Sequence, residues 1–454
     1  MLSWLLTALL FSGHVNAAPA NNPAPDKTHT STFPPAQETV APATNDPNNI
    51  QWTIDSPAKH FDPIRGKLGA SIIGPQNVDI ERQNADLFIP PSSDVGSVKN
   101  AKWPFSLSHN RIQTGGWARQ QNQEVMPIAT EMAGVNMRLA AGAIRELHWH
   151  KTAEWAYVIK GQVQVTVIDA DGHNYLANSD AGDLWYFPPG LPHSLQATDT
   201  DPDGAEFLLV FPDGAFSEDE TFLITDWLGH VPKEVLAANF RTNISLSTIS
   251  RVRDCISSRA VPPPPVDAKA VDNPNGSPPE PFTFAMSKVK PTKVQGGQVK
   301  VVDSTTFKVS KEIAVAEVEV EPGAIRELHW HPTQDEWSFF LQGEARVTLF
   351  ASEQNSRLVT LGAHYRCLAT SQVLTLLPSS SYVPASFGHY VQNIGNTTLK
   401  YLEIFKSDRF QDISLNQWLA LTPPEIVKAL LGFDDETIKG LQEWKVKPIV
   451  VGPV

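Results

Sequence analysis

A nine-residue stretch with two histidines occurs twice in the chain. Residues 142–150 read Gly-Ala-Ile-Arg-Glu-Leu-His-Trp-His, and residues 323–331 repeat them letter for letter. Side chains alternate between the two faces of a β-strand, so His148 and His150 share one face if the stretch is a strand. Neighbouring imidazoles on one face are suited to binding a metal ion. The repeat therefore predicts one metal-binding strand in each half of the chain.

A carboxylate follows each histidine pair. Glu154 lies four positions after the first pair and Glu336 lies five positions after the second. Asp335 would keep the spacing at four, but a tryptophan follows both Glu154 and Glu336 and does not follow Asp335. We therefore predict Glu336 as the second carboxylate ligand.

A further histidine comes after a predicted turn in each half. His193 follows the segment Phe-Pro-Pro-Gly-Leu-Pro, and His389 follows Val-Pro-Ala-Ser-Phe-Gly. A lone histidine is more often packed in a core than bound to a metal, but two complete His-His-Glu-His sets favour ligation. The predicted ligands are His148, His150, Glu154 and His193 in the first half, and His329, His331, Glu336 and His389 in the second.

Three imidazoles and one carboxylate leave room for two exchangeable positions around an octahedral ion. Such mixed nitrogen and oxygen donors suit manganese or iron, whereas zinc favours fewer ligands. The chain has only two cysteines, Cys255 and Cys367, and neither is near the motifs. We expect two ions per chain, one at each site.

An arginine precedes the first histidine of each set by three residues. Arg145 and Arg326 therefore have the opposite strand parity to the histidines, and they reach the metal only if the strand bulges. One interpretation is a surface arginine. The other is a guanidinium beside the metal, ready to hold a carboxylate by paired hydrogen bonds.

Short β-rich segments, separated by glycine and proline, surround these motifs. They include 135–139, 155–159, 163–168, 184–187 and 207–211 in the first half, with counterparts at 315–320, 337–341, 346–350 and 399–405 in the second. Close spacing of such strands indicates a small barrel or sandwich. We expect Gly161 and Gly343 to turn hairpins, and short helices to follow each barrel near Trp227 and Trp418.

The numbering offset between the halves shows where they differ in length. It is 181 at the first histidines (329 − 148), 194 at the closing phenylalanines (405 − 211) and 191 at the tryptophans after the barrels (418 − 227). The first half therefore has three extra residues in the stretch that contains residues 217–221. Loops that differ between duplicated domains are candidates for a separate function.

The second half has its own extra stretch. From Gly343 to His389 is 46 positions, against 32 from Gly161 to His193, so about fourteen residues are added near 365–381. We interpret them as an aberrant gene model or as a disordered surface loop.

The motif G-x5-H-x-H-x3,4-E with a later P-x4-H resembles the two motifs of the cupin family. Together with the duplication, the Glu-Trp pairs and Thr-Asp-Trp-Leu at 225–228, it resembles the secreted fungal bicupin oxalate decarboxylases over roughly residues 103–444. The resemblance implies a mainly β fold of two jelly-roll-like cupin barrels in tandem. It also implies Mn(II) in each barrel, oxalate as substrate, dioxygen as co-catalyst, formate and carbon dioxide as products, and a trimer or hexamer.

The resemblance also assigns roles to single residues. Residues 217–221 resemble a mobile lid in which Glu218 handles protons, although Asp219 and Glu220 depart from the commoner Asn-Ser. Arg145 and Arg326 would orient the substrate. Glu403 aligns with Leu209 in the first half and is either a second proton site or a buried structural carboxylate. The alternative for the lid sequence is a solvated acidic turn.

Composition and charge restrict the partners and the location. The chain has 36 basic and 49 acidic residues, a net charge of −13, which disfavours nucleic acid and anionic membranes as partners. Residues 1–17 resemble a secretory signal peptide without a basic residue at its start, and Asn243, Asn275 and Asn396 begin glycosylation sequons. We expect a secreted protein in which the two cysteines do not form a disulfide framework.

These observations predict a domain order. The expected segments are a signal peptide (1–17), a Pro- and Asn-rich segment (18–100), a first barrel with its lid and helices (101–245), a Pro-rich linker (246–281), a second barrel (282–422) and a helical C-terminal segment (423–454). The functions that remain open beside oxalate decarboxylase are oxalate oxidase, a storage or sugar-binding bicupin, and a dioxygenase for a larger aromatic substrate.

Overall fold

The computed structural model describes residues 94–241, 256–257, 262–265, 267–353, 355–363 and 379–453. The predicted signal peptide, most of the Pro- and Asn-rich segment, the Asn243 sequon, both cysteines and most of the extra stretch in the second half lie outside these residues.

The first half forms two sheets that face each other. Its strands and the two short ones that follow are β1 (Lys102–Pro104), β2 (Arg111–Gln113), β3 (Gly116–Gln121), β4 (Ala133–Leu139), β5 (Ile144–Trp149), β6 (Glu154–Lys160), β7 (Gln162–Ile168), β8 (Asn174–Asp180), β9 (Leu184–Phe187), β10 (His193–Ala197), β11 (Ala205–Phe211), β12 (Phe222–Leu223), β13 (Ile256–Ser257) and β14 (Thr283–Phe284). One sheet has the order β14-β9-β6-β11-β4-β3-β2, and the other has the order β12-β5-β10-β7-β8 with β13 beside β5. Buried residues of both sheets, among them Val135, Val165, Trp185 and Phe207, form the interior of this barrel.

The second half repeats the arrangement as one continuous sheet. Its strands are β15 (Thr292–Val294), β16 (Gly297–Val302), β17 (Ile313–Val320), β18 (Ile325–Trp330), β19 (Glu336–Phe350), β20 (Ser356–Ala363), β21 (Ser379–Val383), β22 (Gly388–Asn393), β23 (Leu399–Lys406), β24 (Ile413–Ser414) and β25 (Val450–Val451). Strand β19 joins the two halves of this barrel because it pairs with β21 and β23 at its start and with β20 and β22 at its end.

The two predicted glycine hairpins are wrong. Strands β6 and β7 flank Gly161 but belong to different sheets, and Gly343 lies inside the single strand β19. Both glycines have positive φ angles, 74° and 85°, and mark the corner where the chain passes from one sheet to the other. A Cβ atom on Gly161 would lie 2.2 Å from the carbonyl oxygen of Gly204, so the corner requires glycine.

The two barrels exchange short strands. Strand β1, near the beginning of the described chain, pairs with β21 of the second barrel, and β14, which precedes the second barrel, pairs with β9 of the first. Outward-facing residues of the first barrel, such as Trp155 and Tyr157, belong to the same buried cluster as the core of the second. The Tyr157 hydroxyl donates a 2.8 Å hydrogen bond to Glu317 across this contact.

Short helices follow both barrels, as predicted. They are α1 (Ile224–His230) and α2 (Lys233–Phe240) after the first, and α3 (Leu415–Leu421), α4 (Pro424–Leu431) and α5 (Asp435–Leu441) after the second. Gly432, with a φ of 68°, ends α4 and divides the C-terminal helical stretch in two. Among the described residues, no helix combines the length and the apolar character needed to cross a bilayer.

Candidate metal centres

A β-bulge in each motif strand places the arginine on the same side as the histidines. His193 and Leu195 are two positions apart on β10, yet they pair with His148 and Arg145, which are three positions apart on β5. The same irregularity separates Arg326 from His329 on β18. One extra residue reverses the parity of a strand. Both arginines are buried, so the interpretation as surface arginines is wrong.

The first predicted ligand set converges. One ligand atom from each of His148, His150, Glu154 and His193 lies within 4.8 Å of the others, and all four residues are buried. The Oε2 atom of Glu154 lies 3.2 Å from Nε2 of His150 and 3.4 Å from Nε2 of His193. These three atoms are buried without a hydrogen-bond partner in the described structure. Donor atoms left without partners around a common centre fit a bound cation.

The second predicted set converges in the same way. His329, His331, Glu336 and His389 are buried and bring their ligand atoms within 4.8 Å of one another. Glu336 Oε2 lies 2.9 Å from His331 Nε2 and 3.1 Å from His389 Nε2. The alternative ligand Asp335 points away, because its carboxylate accepts hydrogen bonds from the Tyr382 hydroxyl and the Ala385 amide.

Backbone carbonyls fix the orientation of most of the imidazoles. His148 Nδ1 lies 2.5 Å from the Glu146 carbonyl oxygen, and His193 Nδ1 lies 2.8 Å from that of Leu191. A carbonyl accepts only, so Nδ1 must carry the proton and Nε2 keeps its lone pair for a metal. The same applies to His329, His331 and His389, whose Nδ1 atoms lie 2.7–3.0 Å from carbonyl oxygens.

The two carboxylate ligands are oriented by different groups. The Trp185 indole donates a 2.9 Å hydrogen bond to Glu154 Oε1, whereas the Ser338 hydroxyl donates to Glu336 Oε1. In both cases Oε1 is occupied and Oε2 is directed at the histidines. Neither donor is apparent from the spacing of the ligands.

The protonation states of the first site favour cation binding. Burial, followed by His193 and Arg145, lowers the pKa of His148 well below its usual value. Burial alone would raise the pKa of Glu154, but His193 and His150 lower it well below its usual range. Neutral imidazoles around an ionised carboxylate are the form that binds a divalent ion. The residues present therefore fit one metal ion in each barrel.

The two arginines differ in their partners. Arg326 is paired with two buried carboxylates, Glu403 at 3.0 Å and Asp412 at 2.7 Å. Among the described residues, Arg145 has no carboxylate partner, and its one hydrogen bond is 3.5 Å long, to the Thr221 hydroxyl. Thr221 and Asp412 hold the same place, because each precedes the short strand that pairs with the motif strand. The offset of 191 equates their positions (412 − 221), but no local motif marks either residue as a partner of the arginine.

Glu403 is a partner of Arg326. Its Oε1 also accepts a 2.8 Å hydrogen bond from the Tyr401 hydroxyl, and its side chain is buried. Burial raises the pKa of Glu403, and Arg326 counteracts that rise. Leu209 is the equivalent of Glu403 in the first barrel. Leu209 pairs with the residue after Trp155, and Glu403 pairs with the residue after Trp337.

The lid lies between the first metal site and a solvent-facing cleft. At its start, Phe216 stacks on Phe211 with ring centroids 3.5 Å apart and contacts the His150 ring. Residues 217–220 separate Phe216 from Thr221, whereas in the second barrel a single residue separates the corresponding Phe410 from Asp412. The three extra residues inferred from the offset are therefore in the lid.

Glu218 is the buried residue of the lid, next to the exposed Asp219 and Glu220. Its side chain is 6% exposed, while that of Asp219 is 79% exposed. Burial raises the pKa of Glu218, although Arg145 and Arg111 oppose the rise. The alternative interpretation as a solvated acidic turn is correct for Asp219 and Glu220 but wrong for Glu218.

Comparisons with known proteins agree with this architecture. The family model described as Cupin matches residues 106–245 and 286–439. The chain is 49% identical over 389 residues to oxalate decarboxylase OxdC of Bacillus subtilis, covering 86% of this chain and 96% of that protein. It is 35% identical over 410 residues to an oxalate decarboxylase of Arthroderma benhamiae, covering 83% of this chain and 91% of that one. The structure of Bacillus subtilis oxalate decarboxylase at pH 4.6 superposes with a TM-score of 0.76 at 46% identity, covering 86% and 97% of the two chains.

Two barrels, each with a buried three-histidine, one-glutamate centre, define a protein with two cupin domains, and the chain belongs to the cupin family. Within it, the chain belongs with the oxalate decarboxylases, which are carboxy-lyases.

Proposed function

We propose that this protein converts oxalate to formate and carbon dioxide at a manganese ion in the first barrel, with dioxygen as co-catalyst. The observation that carries the proposal is Arg145, a buried guanidinium beside a metal site and without a carboxylate partner among the described residues. A buried cation of this kind is suited to a carboxylate ligand from outside the protein.

Binding and orientation of the substrate would depend on Arg145 and the metal ligands. His148, His150, Glu154 and His193 would hold Mn(II), which when bound supplies a redox-capable Lewis acid for the oxalate carboxylate. Arg145 would hold the dianion by charge-assisted hydrogen bonds, while Thr221 beside it adds no negative charge. Buried aromatic rings, among them Phe211 and Phe216, would keep water from the reacting atoms.

Glu218 would supply the proton. When the carbon–carbon bond of the oxalate dianion breaks, carbon dioxide leaves and the remaining carbon must gain one proton to become formate. Burial raises the pKa of Glu218, so this carboxylic acid keeps its proton to a higher pH than an ordinary glutamic acid does and can give that proton. The lid is absent from the second barrel, so this proton donor belongs to the first barrel alone.

We infer a different role for the second barrel. Its ligands fit a metal, but Arg326 is neutralised by Glu403 and Asp412, and Lys447 also pairs with Asp412. An oxalate dianion would meet two carboxylates there instead of a free guanidinium. Of the two roles considered for Glu403, this geometry favours the structural carboxylate, and it favours a structural metal in the second barrel.

Location and assembly are further parts of the proposal. We propose that the protein is secreted, which is supported by the exposed sequon residues Asn275 and Asn396. We also propose a homo-oligomer, as trimer or hexamer. Trp227 and Trp418 lie on equivalent helices and are 58% and 55% exposed, and large exposed aromatics of this kind are typical of subunit contacts.

The test is a product assay on protein loaded with Mn(II). We expect oxalate to yield formate and carbon dioxide in equal amounts at mildly acidic pH, without net consumption of oxygen. Metal analysis should give two ions per chain. Stoichiometric hydrogen peroxide with no formate would contradict the proposal and would identify an oxalate oxidase.

A further inference from the structure

Two polar side chains of the first barrel contact the lid from the side away from the metal ligands. Arg111 on β2 bridges two lid carboxylates, with Nη1 3.4 Å from Glu218 Oε2 and Nη2 2.5 Å from Asp219 Oδ1. Gln120 on β3 accepts a 3.1 Å hydrogen bond from the Glu218 amide through its side-chain oxygen. Both charged and neutral contacts therefore hold Glu218.

The second barrel provides an internal comparison. Arg111 pairs with Ala118 across the β2–β3 hairpin, and Thr292 pairs with Val299 across the equivalent hairpin. Thr292 therefore occupies the position of Arg111, and Val301, two residues after Val299, occupies that of Gln120. Neither residue can reproduce the contacts with a carboxylate and an amide. The barrel without the lid also lacks the two side chains that bind it.

The ends and the middle of the lid are held by different means. The start is anchored by the Phe216 stack and the end by Thr221 near Arg145 and His150. Between them, Ser217 caps the short turn through the Asp219 amide. In the described part of the chain, Arg111 and Gln120 supply the remaining hydrogen bonds to residues 218 and 219 from outside the lid.

A cavity beside these contacts gives the lid room to move. It has a volume of about 290 Å³, and its lining includes Arg111, Gln120, Glu218 and Asp219. Between the anchored ends of the lid, the position of residues 218 and 219 therefore depends on the ion pairs with Arg111 and the hydrogen bond with Gln120.

We propose that Arg111 and Gln120 are positioning residues that hold the lid with Glu218 buried at the first site, and that they thereby set the ratio of formate to oxidised product. This inference rests on the proposed function. A lid released from Arg111 places Glu218 at the site for a smaller fraction of the time. The decarboxylated fragment then gains its proton more slowly and more often gives its two electrons to dioxygen, which takes two protons from solvent to become hydrogen peroxide while the fragment becomes carbon dioxide.

The first test uses Arg111→Gln in the full-length protein loaded with Mn(II). This substitution removes the guanidinium contacts with Glu218 and Asp219, so we expect the lid equilibrium to shift several-fold towards the released form. We expect the peroxide fraction to rise several-fold with unchanged metal content. Hydrogen exchange of the backbone amides of residues 217–221 should become faster by about the same factor as the lid equilibrium.

Further variants separate the effect of the charge of Arg111 from that of its forked guanidinium. Arg111→Lys keeps the charge but loses the fork that spans two carboxylates, so it should restore the product ratio in part. Asp219→Asn removes the exposed ion pair alone and should shift the ratio in the same direction by less. The matched control is Thr292→Gln at the equivalent position of the second barrel, which should change neither lid exchange nor products.

The outcomes distinguish this inference from the proposed function. If the unaltered protein makes no formate from oxalate, the proposed function fails, while lid exchange still reports on Arg111. If it makes formate, and Arg111→Gln changes neither the peroxide fraction nor the exchange of residues 217–221, the inference is overturned. An equal effect of Thr292→Gln would also overturn it.

Discussion

At the scale of single residues, the first site combines a buried carboxyl group with a nearby buried guanidinium. Glu218 and Arg145 are both less than a tenth exposed, and Arg145 lowers the pKa that burial raises for Glu218. The second barrel has Glu403 at the position of Leu209 instead, in direct contact with its arginine. Among the described residues, the same arginine thus has no carboxylate partner in one barrel and has two in the other.

Replacing Glu218 by glutamine should stop proton delivery while keeping the size of the side chain. We expect formate production to fall by at least about a hundredfold, the lower range for removal of a general acid, with both metals retained. The measurements are formate and peroxide yields together with metal content. Glu220→Gln in the same lid is the control, because Glu220 is exposed and should be dispensable. Unchanged turnover in Glu218→Gln would remove the lid acid from the mechanism.

Glu218 should also make stability depend on pH. Because its pKa in the folded protein lies above the ordinary value of about 4.3, the folded state is stabilised by its proton below that value. This contribution is lost as pH rises through the raised pKa. Thermal unfolding from pH ~4 to neutrality should therefore show Glu218→Gln gaining stability relative to the unaltered protein as pH rises. A difference that does not vary with pH would contradict the raised pKa.

At the scale of elements, one β-bulge and one loop insertion shape the first site. The bulge in β5 moves Arg145 to the face of the histidines, and the insertion adds residues that the second barrel does not have. The loop ends at Thr221, where the second barrel has Asp412. The carboxylate at this position neutralises Arg326 together with Glu403.

The exchange Thr221→Asp should therefore convert the first site towards the second. A buried ion pair with Arg145 would compete with oxalate, and charge-assisted hydrogen bonds of about 1.5–3 kcal/mol correspond to a loss of roughly ten- to a hundredfold in kcat/KM. Steady-state kinetics at several oxalate concentrations measure the loss. Thr221→Ser keeps the hydroxyl and should have little effect. A variant with unaltered kcat/KM would show that Arg145 does not bind the substrate.

At the scale of the whole molecule, the two barrels are built as one body with unequal sites. They exchange strands β1 and β14, and the Trp337 indole of the second barrel donates a 2.5 Å hydrogen bond to Gln121 of the first. The metal ligands of the second barrel are buried, and they lie on or next to strands β18, β19 and β22. We infer that a metal there stabilises the molecule while the first barrel performs the reaction.

The helices after the barrels should carry the subunit contacts. Trp227→Glu and Trp418→Glu each place a charge on an exposed aromatic position, so both should shift the protein towards smaller species. Light scattering coupled to gel filtration measures the mass. Val271→Glu is the control, since Val271 is 81% exposed on a segment apart from these helices. Persistence of the full assembly in both tryptophan variants would contradict this assignment.

The sequence by itself determined the ligands and the place of the insertion. Local spacing identified the histidines of both sets, the shared Glu-Trp pair selected Glu336 over Asp335, and simple subtraction located the extra residues near Glu218. These features are short-range because a strand fixes the parity of neighbouring side chains. The same short-range reasoning failed at Gly161 and Gly343, where a corner between sheets has the local signal of a hairpin.

Only the tertiary structure decided what surrounds the ligands. Arg326 meets Glu403 and Asp412, which are 77 and 86 positions away, and Arg111 meets Glu218 across 107 positions. Such contacts arise when strands distant in the chain become neighbours in a barrel, and their register depends on the packing of the complete sheet. Which arginine is paired with carboxylates in the described structure therefore follows from the folded barrel, because charge neutralisation acts through space and not along the chain.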